Sequence, residues 1–94
     1  MIIVREHFIA KPGQASKLAA LLKETMQITG QAKTRVMTDI TGNFNQVVME
    51  TEAESLADFE TRMKEYVSNS GIRQQMSGYT DMYLTGGREI FRVV

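Results

Sequence analysis

The chain of 94 residues contains no cysteine, no tryptophan, one proline and one histidine. The absence of cysteine excludes a disulfide framework, a thiolate metal site and a cysteine nucleophile. A single histidine is too few for a convincing metal site. The 11 basic and 11 acidic residues cancel, whereas a protein that binds nucleic acid normally carries a basic excess. We therefore expect no metal, no cofactor and no nucleic-acid partner.

Long apolar runs are absent as well. No stretch approaches the roughly 18 apolar residues of a membrane span, and the first residues lack the basic, apolar and small-residue regions of a signal peptide. These absences predict a cytoplasmic protein without a membrane partner. The length predicts a single domain over residues 1–94, and a domain this small gains useful burial from an oligomer interface.

The first half of the chain predicts a strand, a helix and a hairpin. Residues 2–10 are rich in isoleucine, valine and phenylalanine, which favour a strand that ends at the turn Pro12-Gly13. Apolar residues from Ala15 to Met26 recur at helical spacing, and Gly30 suits the end of that helix. Residues 34–41 and 44–51 then predict two strands joined by a turn.

The second half predicts two helices and a last strand. Ser55 suits a helix N-cap, and the helical spacing after it continues to Val67. A third, short helix is predicted from the spacing of Ile72, Met76, Tyr79 and Tyr83. Gly86-Gly87 is expected to break the chain before a strand over residues 88–94. The predicted fold class is α+β: a ferredoxin-like βαββαβ domain with a short extra helix before the last strand.

The predicted strands are apolar on both faces, as in Ile2-Ile3-Val4 and Val47-Val48-Met49. Two helices cover only one face of a four-stranded sheet, so the other face needs a second cover. The economical cover is a second copy, sheet against sheet about a two-fold axis. The alternative is a sheet that is merely rich in apolar residues.

The runs REHFIAKPG, GNFNQVVMETEAESLADFE and GGREIFRVV resemble the dimeric α/β-barrel superfamily, in particular its NIPSNAP-like and antibiotic-biosynthesis-monooxygenase-like small proteins. The resemblance spans nearly the whole chain, and its motifs are mostly structural. It implies ferredoxin-like protomers whose sheets face each other in a homodimer. The activities of the superfamily include oxygenation without a cofactor, haem breakdown and decarboxylation. The haem-degrading pattern needs a tryptophan and a histidine on the second helix, which this chain lacks.

Alternation places Glu6 and Phe8 on one face of the first strand, and the resemblance implies that this face packs under the helices beside a ligand pocket. Glu6 falls where the haem-degrading branch carries a catalytic asparagine. A desolvated carboxylate there would have a raised pKa and serve as an acid or base; alternatively, it pairs with a basic group and orients a core network. The side chains expected to line the pocket are Phe8, Phe59, Met63, Tyr66, Tyr79 and Tyr83.

The opposite face of the first strand carries Arg5 and His7. If the register matches, Arg35 and Asp39 join them in the interior of the dimeric barrel. Such a cluster could bind an anionic ligand, with His7 titrating near neutral pH. The alternative is an interfacial polar network.

Three functions remain open from the sequence. The first is a dimer that binds a small apolar or aromatic molecule between sheet and helices. The second is a cofactor-independent monooxygenase that acts on an aromatic or polyketide-like substrate, with Glu6 as the base. The third is a structural assembly module without a ligand. A cavity of several hundred cubic ångströms that contains Glu6 would favour the first two over the third.

Overall fold

A four-stranded antiparallel sheet carries the helices on one of its faces in the computed structural model, which describes residues 1–29 and 33–94. The strand order across the sheet is β2-β3-β1-β4. In chain order the elements are β1 (Ile2–Ala10), α1 (Ala15–Thr29), β2 (Thr34–Thr38), β3 (Gln46–Ala53), α2 (Leu56–Ser68), α3 (Ser70–Gln75), a 3-10 turn (Tyr79–Asp81) and β4 (Tyr83–Arg92). The ferredoxin-like βαββαβ order and the short extra helix are confirmed. Gly30, the predicted helix end, lies outside the described residues.

The hairpin of β2 and β3 forms as predicted, but its connection is longer than expected. β2 ends at Thr38 and β3 begins at Gln46. Between them Gly42 and Asn45 have φ values of 127° and 61°, and such positive values do not fit a strand. Ile40 is fully exposed. Ile40 and Phe44, which the prediction included in the two strands, therefore belong to the connecting loop.

The region before the last strand also differs from the prediction. α3 ends at Gln75, and the helical spacing does not continue because Gly78 has a left-handed φ of 82°. Tyr79 lies in the 3-10 turn and Tyr83 begins β4. The strand thus begins five residues before the predicted Arg88 and contains the glycine pair instead of following it.

The glycine at position 86 has a steric reason to lie within β4. A Cβ atom built on Gly86 would lie 2.8 Å from the backbone oxygen of His7 and 3.1 Å from Cδ1 of Phe8. Only a residue without a side chain allows β4 to approach β1 this closely. Glycine here is a packing requirement, and it does not mark a break.

The start of α2 agrees with the prediction. Ser55 is the N-cap, and its side-chain oxygen accepts a hydrogen bond from the backbone N–H of Asp58 at 3.1 Å. Asp58 also pairs with Arg62 one turn later, with 3.0 Å between Oδ2 and Nη2. These local interactions stabilise the first turn, because they satisfy a free amide and place a carboxylate at the positive end of the helix.

Alternation along β1 divides the sheet into a helix-covered face and an outer face. Val4, Phe8 and Ala10 are buried, whereas Arg5 and His7 on the other face are only partly covered. The main core cluster beneath α1 is formed by Phe8, Ala10, Leu18, Leu22, Val47 and Met49. The predicted division of β1 is confirmed. Among the described residues, no helix is long and apolar enough to cross a membrane.

Candidate functional site

A pocket of about 290 Å³ lies between the helix-covered face of the sheet and helices α1, α2 and α3. Apolar side chains form most of its wall: Phe8, Leu22, Met26, Met49, Met63 and Met76. Its volume lies just below the roughly 300–1,000 Å³ that is usual for small-molecule sites. The unbranched, polarisable methionine side chains adapt to ligands of different shape. The cavity therefore suits a small and largely apolar molecule.

Glu6 lines this pocket and pairs with Arg88 of β4. The two residues are opposite each other in the β1–β4 register, and Oε1 of Glu6 lies 3.3 Å from Nη2 of Arg88. The Glu6 side chain is 19% exposed and that of Arg88 is 43% exposed. Glu6 thus has a cavity on one side and a counter-charge on the other, so both features that the sequence left as alternatives are present.

Tyr79 brings a phenol to the same wall. Burial raises the pKa of the Tyr79 hydroxyl, and the neighbouring Tyr83 and the Glu6 carboxylate raise it further. The Tyr79 hydroxyl is also hydrogen-bonded to Tyr83, so a ligand atom that bonds to it would replace or share that partner. Met63 and Tyr66 of α2 line the pocket as well.

Phe59 and Tyr83, the other two predicted pocket residues, are not part of its lining. Phe59 is 9% exposed and packs with Ile2, Val4 and Ala53 in a second core cluster. Tyr83 packs on Phe8, with ring centroids 5.0 Å apart. Both residues lie behind the pocket wall. Phe59 belongs to the cluster that packs against Met63, and Tyr83 packs against Phe8, and Met63 and Phe8 both line the pocket.

Two arginines of the pocket were missed from the sequence. Arg88 lies on β4, opposite Glu6, and its guanidinium also lies 5.2 Å from the centroid of the Phe59 ring. Arg73 lies on α3 and makes no side-chain ion pair among the described residues. Only the strand register and the position of α3 bring these residues to Glu6's side of the sheet. The sequence predicted that the last strand begins at Arg88, but it did not predict which residue of β1 lies opposite Arg88.

The floor of the pocket contains a buried hydroxyl that has its own partners. Thr25 of α1 is 1% exposed. Its Oγ1 donates to the carbonyl of Leu21 at 2.7 Å and lies 3.2 Å from the sulfur of Met76. Since this hydroxyl already has partners, the groups available to a polar ligand atom are the charged side chains of the wall and, where a ligand replaces or shares its bond to Tyr83, Tyr79.

The outer face of the sheet is organised by Glu50, which the sequence did not single out. Arg5 of β1 and Arg35 of β2 lie opposite Glu50 of β3 in the two registers. Nη2 of Arg5 lies 2.6 Å from Oε2 of Glu50, and Nη2 of Arg35 lies 2.7 Å from Oε1. Hydrogen bonds from Arg35 and Arg5 lower the pKa of the Glu50 carboxyl, although burial opposes them.

His7 and Asp39, expected beside these arginines, have other partners. Nε2 of His7 lies 3.4 Å from Oε1 of Glu89 on β4. Oδ1 of Asp39 accepts the backbone N–H of Gln46 at 3.1 Å. Both nevertheless line, with Arg5 and Glu50, an open depression of about 530 Å³ on the outer face. Within the described residues no group of three or more histidine, cysteine or acidic side chains is arranged to hold a metal ion.

Solved structures share this architecture. An uncharacterised NIPSNAP domain protein from Burkholderia xenovorans superposes with a TM-score of 0.86 at 11% identity, covering 100% of this chain and 95% of that chain. A NIPSNAP family protein from Agrobacterium tumefaciens gives a TM-score of 0.86 at 13% identity, with coverages of 99% and 85%. An antibiotic biosynthesis monooxygenase gives 0.75 at 14% identity, with coverages of 100% and 99%.

These similarities confirm the fold that the resemblance implied. The chain has the ferredoxin-like fold of NIPSNAP-domain and antibiotic-biosynthesis-monooxygenase-like proteins. No protein-family model matches the sequence, and no curated protein matches it. At identities of 11–14% the likeness concerns the fold, and function must be argued from the site itself.

Proposed function

We propose that this protein binds a small apolar or aromatic molecule in the pocket between the sheet and the helices. The observation that supports the proposal is a methionine-rich cavity of about 290 Å³ with a charged side chain, Glu6, in its wall. A concave apolar site with a few polar groups is the usual form of a small-molecule site. A structural assembly module has no need for such a cavity.

The seven methionines allow a direct test. Four of them line the pocket, namely Met26, Met49, Met63 and Met76. Met1 and Met37 lie elsewhere and serve as internal controls, whereas Met82 packs on the core cluster behind the pocket wall. The protein would be labelled with ¹³C at the methionine methyl groups, assigned by single Met→Leu variants and titrated with the neutral aromatic 2-naphthamide. Binding in the pocket shifts the four lining signals and leaves the controls in place. Equal shifts of all seven signals, or none, would contradict the proposal.

We further propose that two copies associate through their outer sheet faces. Apolar side chains are left partly exposed there, including Ile3 and Ile9 of β1 and Phe91 of β4, which is 43% exposed. Arg5 and Glu50 on the two central strands, with Arg35 on the edge strand β2, add opposite charges to the same face. A face that carries apolar groups and both signs of charge can be complementary to itself across a two-fold axis. This association would also bury the side of the sheet that no helix covers.

A cofactor-independent monooxygenase is the second candidate function, and the presence of Glu6 in the cavity favours it. Glu6 would take the hydroxyl proton of a phenolic substrate, and the phenolate would reduce O₂. For 1-naphthol the products are 1,4-naphthoquinone and water: one oxygen atom becomes the new carbonyl and the other leaves as water. Tyr79 would donate a hydrogen bond to the substrate oxygen in place of its hydrogen bond to Tyr83.

Oxygen consumption separates this candidate from simple binding. With 1-naphthol, a monooxygenase consumes one O₂ for each quinone formed, and Glu6→Gln slows the reaction by about 10²-fold or more because the base is lost. If neither the parent protein nor the variant consumes oxygen while the naphthamide still binds, the enzyme proposal fails and the binding proposal stands.

A further inference from the structure

The charged side chains that line the pocket have a net positive charge. Arg73 and Arg88 each contribute a positive charge, and Glu6 contributes the one negative charge among the described lining residues. The wall therefore carries one uncompensated positive charge. In a partly apolar site this charge favours an anionic ligand, because the field is screened less there than in bulk water.

Arg73 is the residue that leaves the charge uncompensated. Arg88 is engaged twice, by the Glu6 carboxylate at 3.3 Å and by the ring of Phe59 at 5.2 Å. Arg73, on α3, has no ion-pair partner among the residues that the structure describes. Its side chain is exposed, so an acid group paired with it would remain partly hydrated. A planar guanidinium matches the geometry of a carboxylate.

The neighbours of Arg73 along α3 also place it at the wall of the pocket. Ile72 precedes Arg73, is 8% exposed and also lines the pocket. The side-chain oxygen of Asn69 caps α3 by accepting the backbone N–H of Ile72 at 3.1 Å. The short helix is thus held by its own cap and by a buried anchor. These contacts hold the backbone of Arg73 at the wall of the pocket.

We infer that the ligand of this pocket is a small hydrophobic acid, whose apolar body lies among the methionines and whose carboxylate pairs with Arg73. The inference rests on the proposed binding function and specifies its ligand class. Glu6 opposes the ligand's charge in the same cavity and Arg88 offsets Glu6. The charge of Arg73 therefore sets the preference for an acid over a neutral molecule.

A matched pair of ligands tests the inference. 2-Naphthoate and 2-naphthamide share the same ring system and differ in charge, since the carboxyl group is ionised at pH 7.5. The chain contains no tryptophan, so naphthalene fluorescence can be followed with little background. We expect the naphthoate to bind about fivefold more tightly at low salt, and we expect the difference to shrink at 0.5 M NaCl.

Three variants assign the preference to residues. Arg73→Gln should raise the naphthoate Kd about fivefold and change the naphthamide Kd by less than about twofold. Glu6→Gln should lower the naphthoate Kd, because it removes the like charge from the pocket wall. Lys64→Gln removes a positive charge from α2 outside the pocket lining and should leave both constants unchanged.

The outcomes distinguish the two proposals. Equal affinity for acid and amide, or an acid preference that survives Arg73→Gln, overturns the inference while the binding function stands. An equal loss of naphthoate affinity in Lys64→Gln also overturns it, because the effect would then follow net charge. If neither compound shifts the methionine signals of the pocket, both proposals fail.

Discussion

Glu6 and Arg88 are directly opposite each other on β1 and β4, with 3.3 Å between Oε1 and Nη2. The guanidinium of Arg88 also lies over the ring of Phe59 on α2, 5.2 Å from its centroid. One arginine thus connects the edge strand to a helix and to the charged wall of the pocket. Nearly all residues of β4 are exposed, so this connection should be measurable.

Replacement of Arg88 by leucine should lower the free energy of unfolding by about 0.5–1.5 kcal/mol. The variant loses a half-exposed ion pair and a cation–π contact, each worth at most about 1 kcal/mol at such a site. Arg92→Leu is the matched control, since Arg92 lies on the same face of β4. Urea unfolding of both variants measures the difference. Equal effects would show that the Arg88 contacts contribute nothing.

Glu50→Gln should destabilise the protein by about 1–3 kcal/mol, because charge-assisted hydrogen bonds to two arginines are lost and Arg5 and Arg35 are left facing each other. Glu52→Gln is the control. Glu52 pairs with Lys33 at 3.6 Å in a largely exposed position, and such pairs contribute little. Similar losses in the two variants would contradict a special role of Glu50.

Acid should weaken the fold through the same carboxylate. The two arginines hold the pKa of Glu50 below its ordinary value in the folded protein. As the pH falls, Glu50 is therefore protonated in the unfolded chain before it is protonated in the folded protein. The contribution of Glu50 is therefore complete above its ordinary pKa and is lost as the pH falls through the lowered one. Thermal unfolding between pH 7 and pH 3 measures the decline, and Glu50→Gln should show a shallower one. Parallel curves would refute the assignment.

The two glycines of β4 should differ in their tolerance of alanine. Gly86→Ala places a Cβ atom 2.8 Å from the backbone oxygen of His7, and we expect a loss of about 1–3 kcal/mol. Gly87→Ala meets the His7 ring at 3.0 Å, and a side chain can rotate away, so the loss should be about 1 kcal/mol or less. In a His7→Ala background the cost of Gly87→Ala should disappear and that of Gly86→Ala should persist.

The proposed association through the outer face predicts a solution mass near twice the 10.6 kDa of the chain. Val48 lies at the centre of that face, opposite His7 and Met37, and Val48→Asp should shift the protein towards the monomer. Ile28→Asp is the control, because Ile28 is 56% exposed on α1, on the other side of the sheet. Light scattering at micromolar concentration measures both. A monomeric parent protein would exclude the association.

Local sequence determined much of the fold. Apolar spacing predicted β1 and its two faces, and the Ser55 cap predicted the start of α2, because these signals depend on residues within a turn or a strand of one another. Alternation grouped Glu6 with Phe8 on one face, and the family resemblance implied that this face lies under the helices. Local reasoning failed at residues 39–45 and at Gly86-Gly87, where positive φ values and a close strand approach decide the structure.

Tertiary structure alone decided the partners of the charged residues. Glu50 lies between Arg5 and Arg35, Arg88 pairs with Glu6, and His7 reaches Glu89. Each contact joins residues on different strands, and its existence depends on the register of two antiparallel pairings. A strand's own pattern tells which face a side chain occupies, but a shift of the neighbouring strand changes its partner. The strand pattern and the family resemblance therefore placed Glu6 beside a pocket, and the register of β4 decided that its partner is Arg88.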